Sequence, residues 1–103
     1  MKPAMVAPAA KRDLVDAAGW IAKDNPTAAR GLRDAVVKAS VLIGQHPQVG
    51  MVRTDLADER IRFLVLRGYP YILVYAADTT PPRILRVFHG ARDLPDLLRD
   101  LRG

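Results

Sequence analysis

A histidine and several arginines lie at the ends of two strand-like segments, where they could act on a phosphate group. Arg60 and Arg62 alternate onto the same face of one predicted strand, whereas Arg86, His89 and Arg92 lie at or just after another. If these strands are neighbours, the side chains converge. Cleavage of RNA by its own 2′-hydroxyl needs proton transfer and cations around the phosphate but no metal, and an unperturbed imidazole titrates near neutrality. One hypothesis is therefore a metal-independent endoribonuclease with His89, Arg60, Arg62 and Arg92 as catalytic residues.

The same side chains also have a purely structural interpretation. A histidine that precedes a glycine at a strand end is commonly hydrogen-bonded to the backbone. Arginines on an exposed strand are commonly solvated, or they bind an acidic partner. The residues alone leave both interpretations open.

Most other site chemistries are excluded by composition. The chain has no cysteine, which removes disulfides, thiolate zinc sites, iron–sulfur clusters and cysteine nucleophiles. Ser40, the only serine, falls within a predicted helix, and the seven glycines are too scattered for a phosphate-binding loop. The two histidines have no metal-ligand spacing. We therefore expect neither a metal nor a cofactor.

The size and charge of the chain favour one cytoplasmic domain with an anionic partner. Residues 1–103 are expected to form a single domain. Lysine and arginine total 16 against 11 acidic residues, a net charge of +5. Arginine dominates the cations, and its planar fork suits phosphate or carboxylate. The uncharged stretch Gly68 to Ala77 is too short to span a membrane, and no signal peptide is apparent.

The amino-terminal half predicts a short strand and two helices. A strand at Lys2–Val6 is followed by a helix over residues 8–23. Trp20 lies beside the apolar stripe of this helix and is expected to pack in the core or within the helical hairpin. Asn25 is a good cap and Pro26 a good first residue for a second helix, which should end between Gly44 and His46. So short a connection between the two helices predicts that they form an antiparallel helical hairpin.

The carboxy-terminal half predicts a strand meander and a last helix. Branched and aromatic residues are typical of strands, and Arg67-Gly68 is suited to a hairpin turn between two of them. The expected strands are Gly50–Arg53, Arg60–Leu66, Tyr69–Ala77 and Arg83–His89, and an amphipathic helix is expected near Leu94–Leu101.

Two of these strands are apolar on both faces, which predicts cover on both sides of the sheet. Phe63 to Leu66 and Tyr71 to Tyr75 are apolar at every position. The hairpin can cover one face, but a short last helix is too small for the other, so we expect apolar surface there that a partner covers. Tyr69, Tyr71 and Tyr75 share a face with Leu73 and are candidates for lining a groove.

The order of motifs resembles the RelE/ParE toxins of bacterial type II toxin–antitoxin systems over nearly the whole chain. The most specific parts are the Tyr-Pro-Tyr strand beginning at Tyr69 and the His-Gly-Ala-Arg-Asp ending at His89 to Asp93. The resemblance implies an α+β fold of order β-α-α-β-β-β, with an N-terminal helical hairpin packed on a small antiparallel sheet and a short C-terminal helix. It also implies a cognate ParD-like antitoxin whose acidic amphipathic segment folds onto the toxin as a hetero-oligomer.

The resemblance leaves three functions open. The ending is more similar to the ParE branch, because no tyrosine follows Tyr75, and this implies poisoning of DNA gyrase. The RelE branch implies ribosome-dependent cleavage of messenger RNA through His89 and arginines. An inactive antitoxin-binding module is the third. Candidate antitoxin-binding residues are Arg60, Arg62, Leu64, Tyr69, Tyr71, Leu73, Tyr75, Arg86 and Arg92.

Overall fold

Two helices and a five-stranded sheet make up the fold. The computed structural model describes residues 2–93 and Arg99. The helices are α1 (Pro8–Ala22) and α2 (Pro26–Gln45), and the strands are β1 (Met5–Val6), β2 (Met51–Val52), β3 (Ile61–Val65), β4 (Tyr71–Ala76) and β5 (Arg83–His89). The predicted α+β class is confirmed. The helix predicted near Leu94–Leu101 lies outside the described residues.

Proline and asparagine set the helix boundaries as the sequence predicts. Pro8 and Pro26 occupy first-turn positions, where their missing N–H groups are not needed. The Asn25 side chain accepts a hydrogen bond from the Ala28 N–H at 3.0 Å and caps α2. Across residues 2–93, neither helix is long and apolar enough to cross a lipid bilayer.

The strands lie in the order β1-β5-β4-β3-β2. From β2 to β5 they form the predicted antiparallel meander, and Gly68 has the positive φ of 83° that its hairpin loop requires. The short β1 pairs in parallel with the start of β5, where Met5 lies opposite Arg83. The amino terminus is thereby joined to the last strand, and the helical hairpin forms the connection between the two edges of the sheet.

A bulge in β5 decides which way its side chains point. Val74 pairs with Arg86 and Tyr75 pairs with Ile84, so Leu85 is an extra residue without a partner on β4. The bulge moves Arg86 to the face opposite the one that simple alternation from Ile84 gives it. Arg86 therefore lies on the same face as Phe88, with its guanidinium 4.6 Å from the centre of that ring.

The larger core lies between the helices and one face of the sheet. Its fully buried side chains come from the middle of α2 and from the two central strands; the largest are Leu32, Ile43, Leu73, Tyr75 and Ile84. Small residues on α1, Ala10 and Ala17, are also buried in it. Burial of this apolar surface is the main stabilising contribution to such a fold.

The other face of the sheet is better covered than the sequence predicts. Phe63, Val74 and Phe88 are buried there as a second cluster, against which Leu56 and Ala57 from the loop before β3 pack. The centre of this face is therefore covered, whereas Met51 and Val65, which share the face of Phe63, are mostly exposed, so part of the expected apolar surface is present at its edge. Among the described residues of β3 and β4, the most exposed apolar side chain is Val65, at the end of β3.

Two helical glycines provide a matched test of this packing. A Cβ at Gly44 would clash with the Lys2 carbonyl oxygen and lie 2.9 Å from the Pro3 Cα, whereas a Cβ at Gly19 meets nothing within 4 Å. Gly44→Ala should lower the free energy of unfolding in urea by about 2 kcal/mol. Gly19→Ala should raise it by about 0.5–1 kcal/mol through helix propensity. Equal stabilities of the two variants would contradict the close approach of α2 to the amino terminus.

Candidate functional site

The predicted catalytic residues lie at two separate corners of the sheet. Arg62 is opposite Tyr75 at one end of β4, whereas His89 is opposite Tyr71 at the other end. The whole of β4 also lies between β3 and β5, which places these two strands about 10 Å apart. The predicted convergence of Arg60 and Arg62 with His89 and Arg92 does not occur, because the meander inserts one strand between the strands that carry them.

At the first corner the arginines hold loops in place. Arg60 pairs with Asp58 at 2.9 Å, and the hydrogen bond and charge of Asp58 raise the pKa of Arg60. Arg62 Nη1 donates to the carbonyl oxygens of Gln48 at 3.1 Å and Gly50 at 2.8 Å. Arg62 therefore fixes the segment that leads into β2.

Tyr75 completes this corner from inside the core. Its hydroxyl donates to the Pro47 carbonyl at 2.7 Å and accepts the Gly50 N–H at 2.9 Å. Burial raises the pKa of Tyr75, although the Gly50 N–H and the charge of Arg62 oppose the shift. The ring is fully buried, so it is not available for stacking or for a peptide groove.

At the second corner His89 organises a turn. Its Nδ1 accepts the N–H groups of Ala91 at 3.3 Å and Arg92 at 3.0 Å, and Asp93 in turn accepts the His89 N–H at 2.9 Å. With Nδ1 used as an acceptor, the proton of a neutral imidazole is on Nε2. The ring also contacts Tyr71 edge to face. His89 thus holds the turn together and does not present a free acceptor to a substrate.

Asp13 of α1 binds β5 at the same corner, and the sequence analysis missed it. Its carboxylate accepts two hydrogen bonds from Arg86, at 2.7 and 3.0 Å, and the Val87 N–H at 2.9 Å. Asp13 lies among other charged residues of a helix, and nothing in that pattern distinguishes it from a solvated side chain. Arg86 reaches it from the face of β5 that it shares with Phe88.

Trp20 lies beside this corner and contradicts the prediction of core packing, since 57% of its surface is exposed. The Lys23 Nζ lies 4.8 Å and the Arg92 Cζ 5.1 Å from its ring centres, both within cation–π range. Arg92 also pairs with Asp93 at 3.1 Å. Burial alone would raise the pKa of Asp93, but hydrogen bonds from Arg92 and from the His89 N–H lower it.

The predicted antitoxin-binding residues differ widely in exposure. Tyr71, Leu73 and Tyr75 are buried, and Tyr69 donates its hydroxyl to the Ala28 carbonyl at 2.7 Å. Leu64 is half-buried in a groove between α2 and β3. The buried tyrosines share the face of Leu73 as predicted, but the helices cover most of that face, so the rings do not line an open groove.

Two apolar grooves border α2. One, of about 480 Å³, lies between α1 and α2 and is lined by Leu14, Val15, Ala18, Val36 and Val37, with Lys11 and Arg33 among its other residues. Val15 and Val37 are 72% and 55% exposed. The second groove, of about 360 Å³, lies between α2 and β3 and includes Leu42, Leu64 and Val65, with Lys38 and Arg67. Among the described residues no cluster of side chains suits a metal ion.

Comparison with known proteins identifies relatives of this fold. Residues 5–94 match a family model described as the ParE toxin of type II toxin–antitoxin systems, parDE. A solved structure titled a chromosomal ParDE TA system from P. aeruginosa superposes with a TM-score of 0.71 and 19% identity, over 86% of this chain and 96% of that one. No curated protein matches the sequence.

The Asp13 contacts predict a large effect on stability. Asp13→Asn leaves the half-buried Arg86 without its carboxylate, so the free energy of unfolding should fall by about 2 kcal/mol. Asp58→Asn, which weakens the exposed pair with Arg60, should change it much less, because solvent screens that pair. Urea denaturation of both variants measures the difference. If the two variants lose the same stability, Asp13 does not hold α1 to β5.

Proposed function

Because the chain belongs to the ParE toxin family of type II toxin–antitoxin systems, we propose that it inhibits growth by poisoning DNA gyrase until a cognate ParD-like antitoxin neutralises it. The antitoxin binds through an acidic amphipathic segment, and the two proteins form a hetero-oligomer. Toxin, antitoxin and gyrase meet in the cytoplasm.

The observation that carries the antitoxin part of this proposal is the groove between α1 and α2. Its floor is aliphatic, and two of its residues, Val15 and Val37, are mostly exposed in the chain alone. The charged residues that line it, Lys11 and Arg33, are both cationic. An amphipathic helix with an apolar face and acidic edges complements such a groove in both shape and charge.

The groove between α2 and β3 supports the same occupant. Lys38 and Arg67 outnumber the single acidic residue Asp34 among its lining residues. Val65 at its edge is exposed, and Leu64 belongs to its wall. The two grooves lie on opposite faces of α2, so an antitoxin chain has to cross α2 to cover the exposed apolar side chains of both.

Gyrase is favoured over messenger RNA as the target because the nuclease residues are not assembled. Arg60 and Arg62 lie at the opposite end of the sheet from His89. Nδ1 of His89 is already used as a backbone acceptor, and no tyrosine or lysine follows Tyr75 to replace it. Within the described residues, no group near His89 forms an acid–base pair with it.

The target is tested by expressing the chain alone in cells and following growth, chromosome breaks and messenger RNA. We expect growth arrest with gyrase-dependent double-strand breaks while ribosome-bound message stays intact. Purified chain should also trap purified gyrase on supercoiled plasmid in the cleaved state. Cleavage of ribosome-bound message that His89→Ala abolishes would instead establish the nuclease, and normal growth would establish the inactive binding module.

The antitoxin surface is tested by charge reversal. Arg33→Glu should weaken binding of the acidic antitoxin segment about tenfold, because a repulsive contact replaces an attractive one at the edge of the groove. Arg83→Glu changes an equally charged, exposed residue on β5 and should leave affinity within about twofold. Calorimetric titration of the variants with the antitoxin of the neighbouring gene measures both. Equal affinities for Arg33→Glu and Arg83→Glu would place the antitoxin elsewhere.

A further inference from the structure

The two sides of α1 carry different surfaces. Lys11, Leu14, Val15 and Ala18 face the groove with α2. Asp13, Asp16, Ala17 and Trp20 fall on the opposite side of the helix, because residues three and four apart lie on one face. The first three of these line a pocket of about 230 Å³ together with Tyr71 and residues of β5 and the following turn. The exposed Trp20 lies next to this pocket, since Arg92 touches both.

The pocket contains a buried hydroxyl without a partner. Tyr71 is only 2% exposed, and its hydroxyl makes no hydrogen bond. The Arg92 guanidinium lies close enough to this hydroxyl for Tyr71 to contribute, after Asp93, to raising the pKa of Arg92, but the hydrogen bonds that Arg92 donates run to Asp93. A buried hydroxyl with no partner is unfavourable, because it has lost its hydrogen bonds to water without replacing them. The fold therefore keeps at this position a polar group that a ligand can satisfy.

Among the described residues, the charged side chains that line the pocket are paired except for Asp16. Arg86 pairs with Asp13, and Arg92 pairs with Asp93. Asp16 is exposed and forms no hydrogen bond or ion pair with the residues described here. Because the two charges of each ion pair cancel, the groups that remain to bind a ligand are the Asp16 carboxylate and the Tyr71 hydroxyl. Both can accept hydrogen bonds, and the excess charge is negative, so the complementary group is a cation with several N–H donors.

We propose that this pocket binds an arginine side chain of the target protein, with the Asp16 carboxylate and the Tyr71 hydroxyl accepting its N–H groups and Trp20 covering its aliphatic stem. The guanidinium presents five donors in a planar fork, which allows it to reach both acceptors at once. Tryptophan beside a pocket is typical of the residues that dominate binding at protein interfaces. The partner assignment rests on the proposed function, since the acidic antitoxin segment suits the cationic grooves.

The frame around the pocket is held in place before a ligand arrives. Asp13 fixes α1 to β5, and His89 fixes the turn that carries Arg92. Such pre-organisation lowers the entropy lost on binding. An anionic ligand fits less well, because it would face three carboxylates, of which only two are paired with arginines.

Binding is tested with the fluorescence of Trp20, the only tryptophan of the chain. The probes are a capped Gly-Arg-Gly peptide and the same peptide with citrulline, which has the shape of arginine without its charge. We expect the arginine peptide to change the emission saturably and the citrulline peptide to bind at least about tenfold more weakly. Equal binding of both peptides, or no saturable change with the arginine peptide, overturns the proposal.

Two variants separate recognition from folding. Tyr71→Phe removes a hydroxyl that has no partner, so the chain should keep its stability, while its affinity for the arginine peptide should fall about fivefold. Asp16→Asn should weaken binding about tenfold, whereas Asp78→Asn, which changes an exposed aspartate at the far end of the sheet, should not. Unchanged affinity in both Tyr71→Phe and Asp16→Asn contradicts the assignment of the pocket.

The gyrase-trapping assay on plasmid separates this proposal from the proposed function. If the chain poisons gyrase, Asp16→Asn should reduce trapping of cleaved plasmid about tenfold and Asp78→Asn should leave it unchanged. Full trapping by Asp16→Asn overturns the pocket as a target contact while the gyrase assignment stands. Absence of trapping by the unaltered chain overturns the gyrase assignment, and with it the identity of the partner, whatever the peptide titration shows.

Discussion

The contact between Asp13 and β5 holds the two halves of this molecule together. β1 pairs only with Arg83 and Ile84, so from Val87 onward β5 has no strand on that side in the described chain. Such an edge invites pairing with other chains. Asp13 fills the position by accepting the Val87 N–H, and Arg86 neutralises its carboxylate. One side chain therefore closes the edge, anchors α1 and forms a wall of the pocket beside Tyr71.

The sequence predicted correctly the features that depend on residues close together in the chain. Pro8, Asn25 and Pro26 determine helix starts through their own backbone chemistry, and the runs of branched residues mark β3, β4 and β5 within two residues of their observed ends. The arrangement of strands is not local. Arg62 and His89 could meet only if β3 and β5 were neighbours, and the meander puts β4 between them. The bulge at Leu85, which redirects Arg86, likewise depends on pairing across strands.

The apolar pattern of the strands predicted their burial correctly, but it did not locate all of the apolar surface that stays exposed. β4 is apolar on both faces because both faces are buried, one against the helices and one around Phe63, Val74 and Phe88. Among the described residues, half of the large apolar side chains left in solvent are on the helices, such as Val15 and Val37, and the other half are on β1, β2, the end of β3 and the segment before β2. An apolar stripe on a helix can be wider than the core buries. This excess cannot be recognised from one sequence, because the buried part of the stripe depends on how closely the helices approach the sheet.

The positions of these surfaces constrain how an antitoxin can neutralise the chain. The groove lined by Val15 and Val37 and the pocket lined by Asp16 and Tyr71 lie on opposite sides of α1. A single helix in the groove leaves the pocket accessible, because the diameter of α1, about 10 Å with side chains, separates the two. If the target binds at the pocket, an antitoxin helix in the groove does not block it by itself, and another part of the antitoxin must do so. Either its chain continues around α1 towards Trp20, or its remaining bulk keeps the target away.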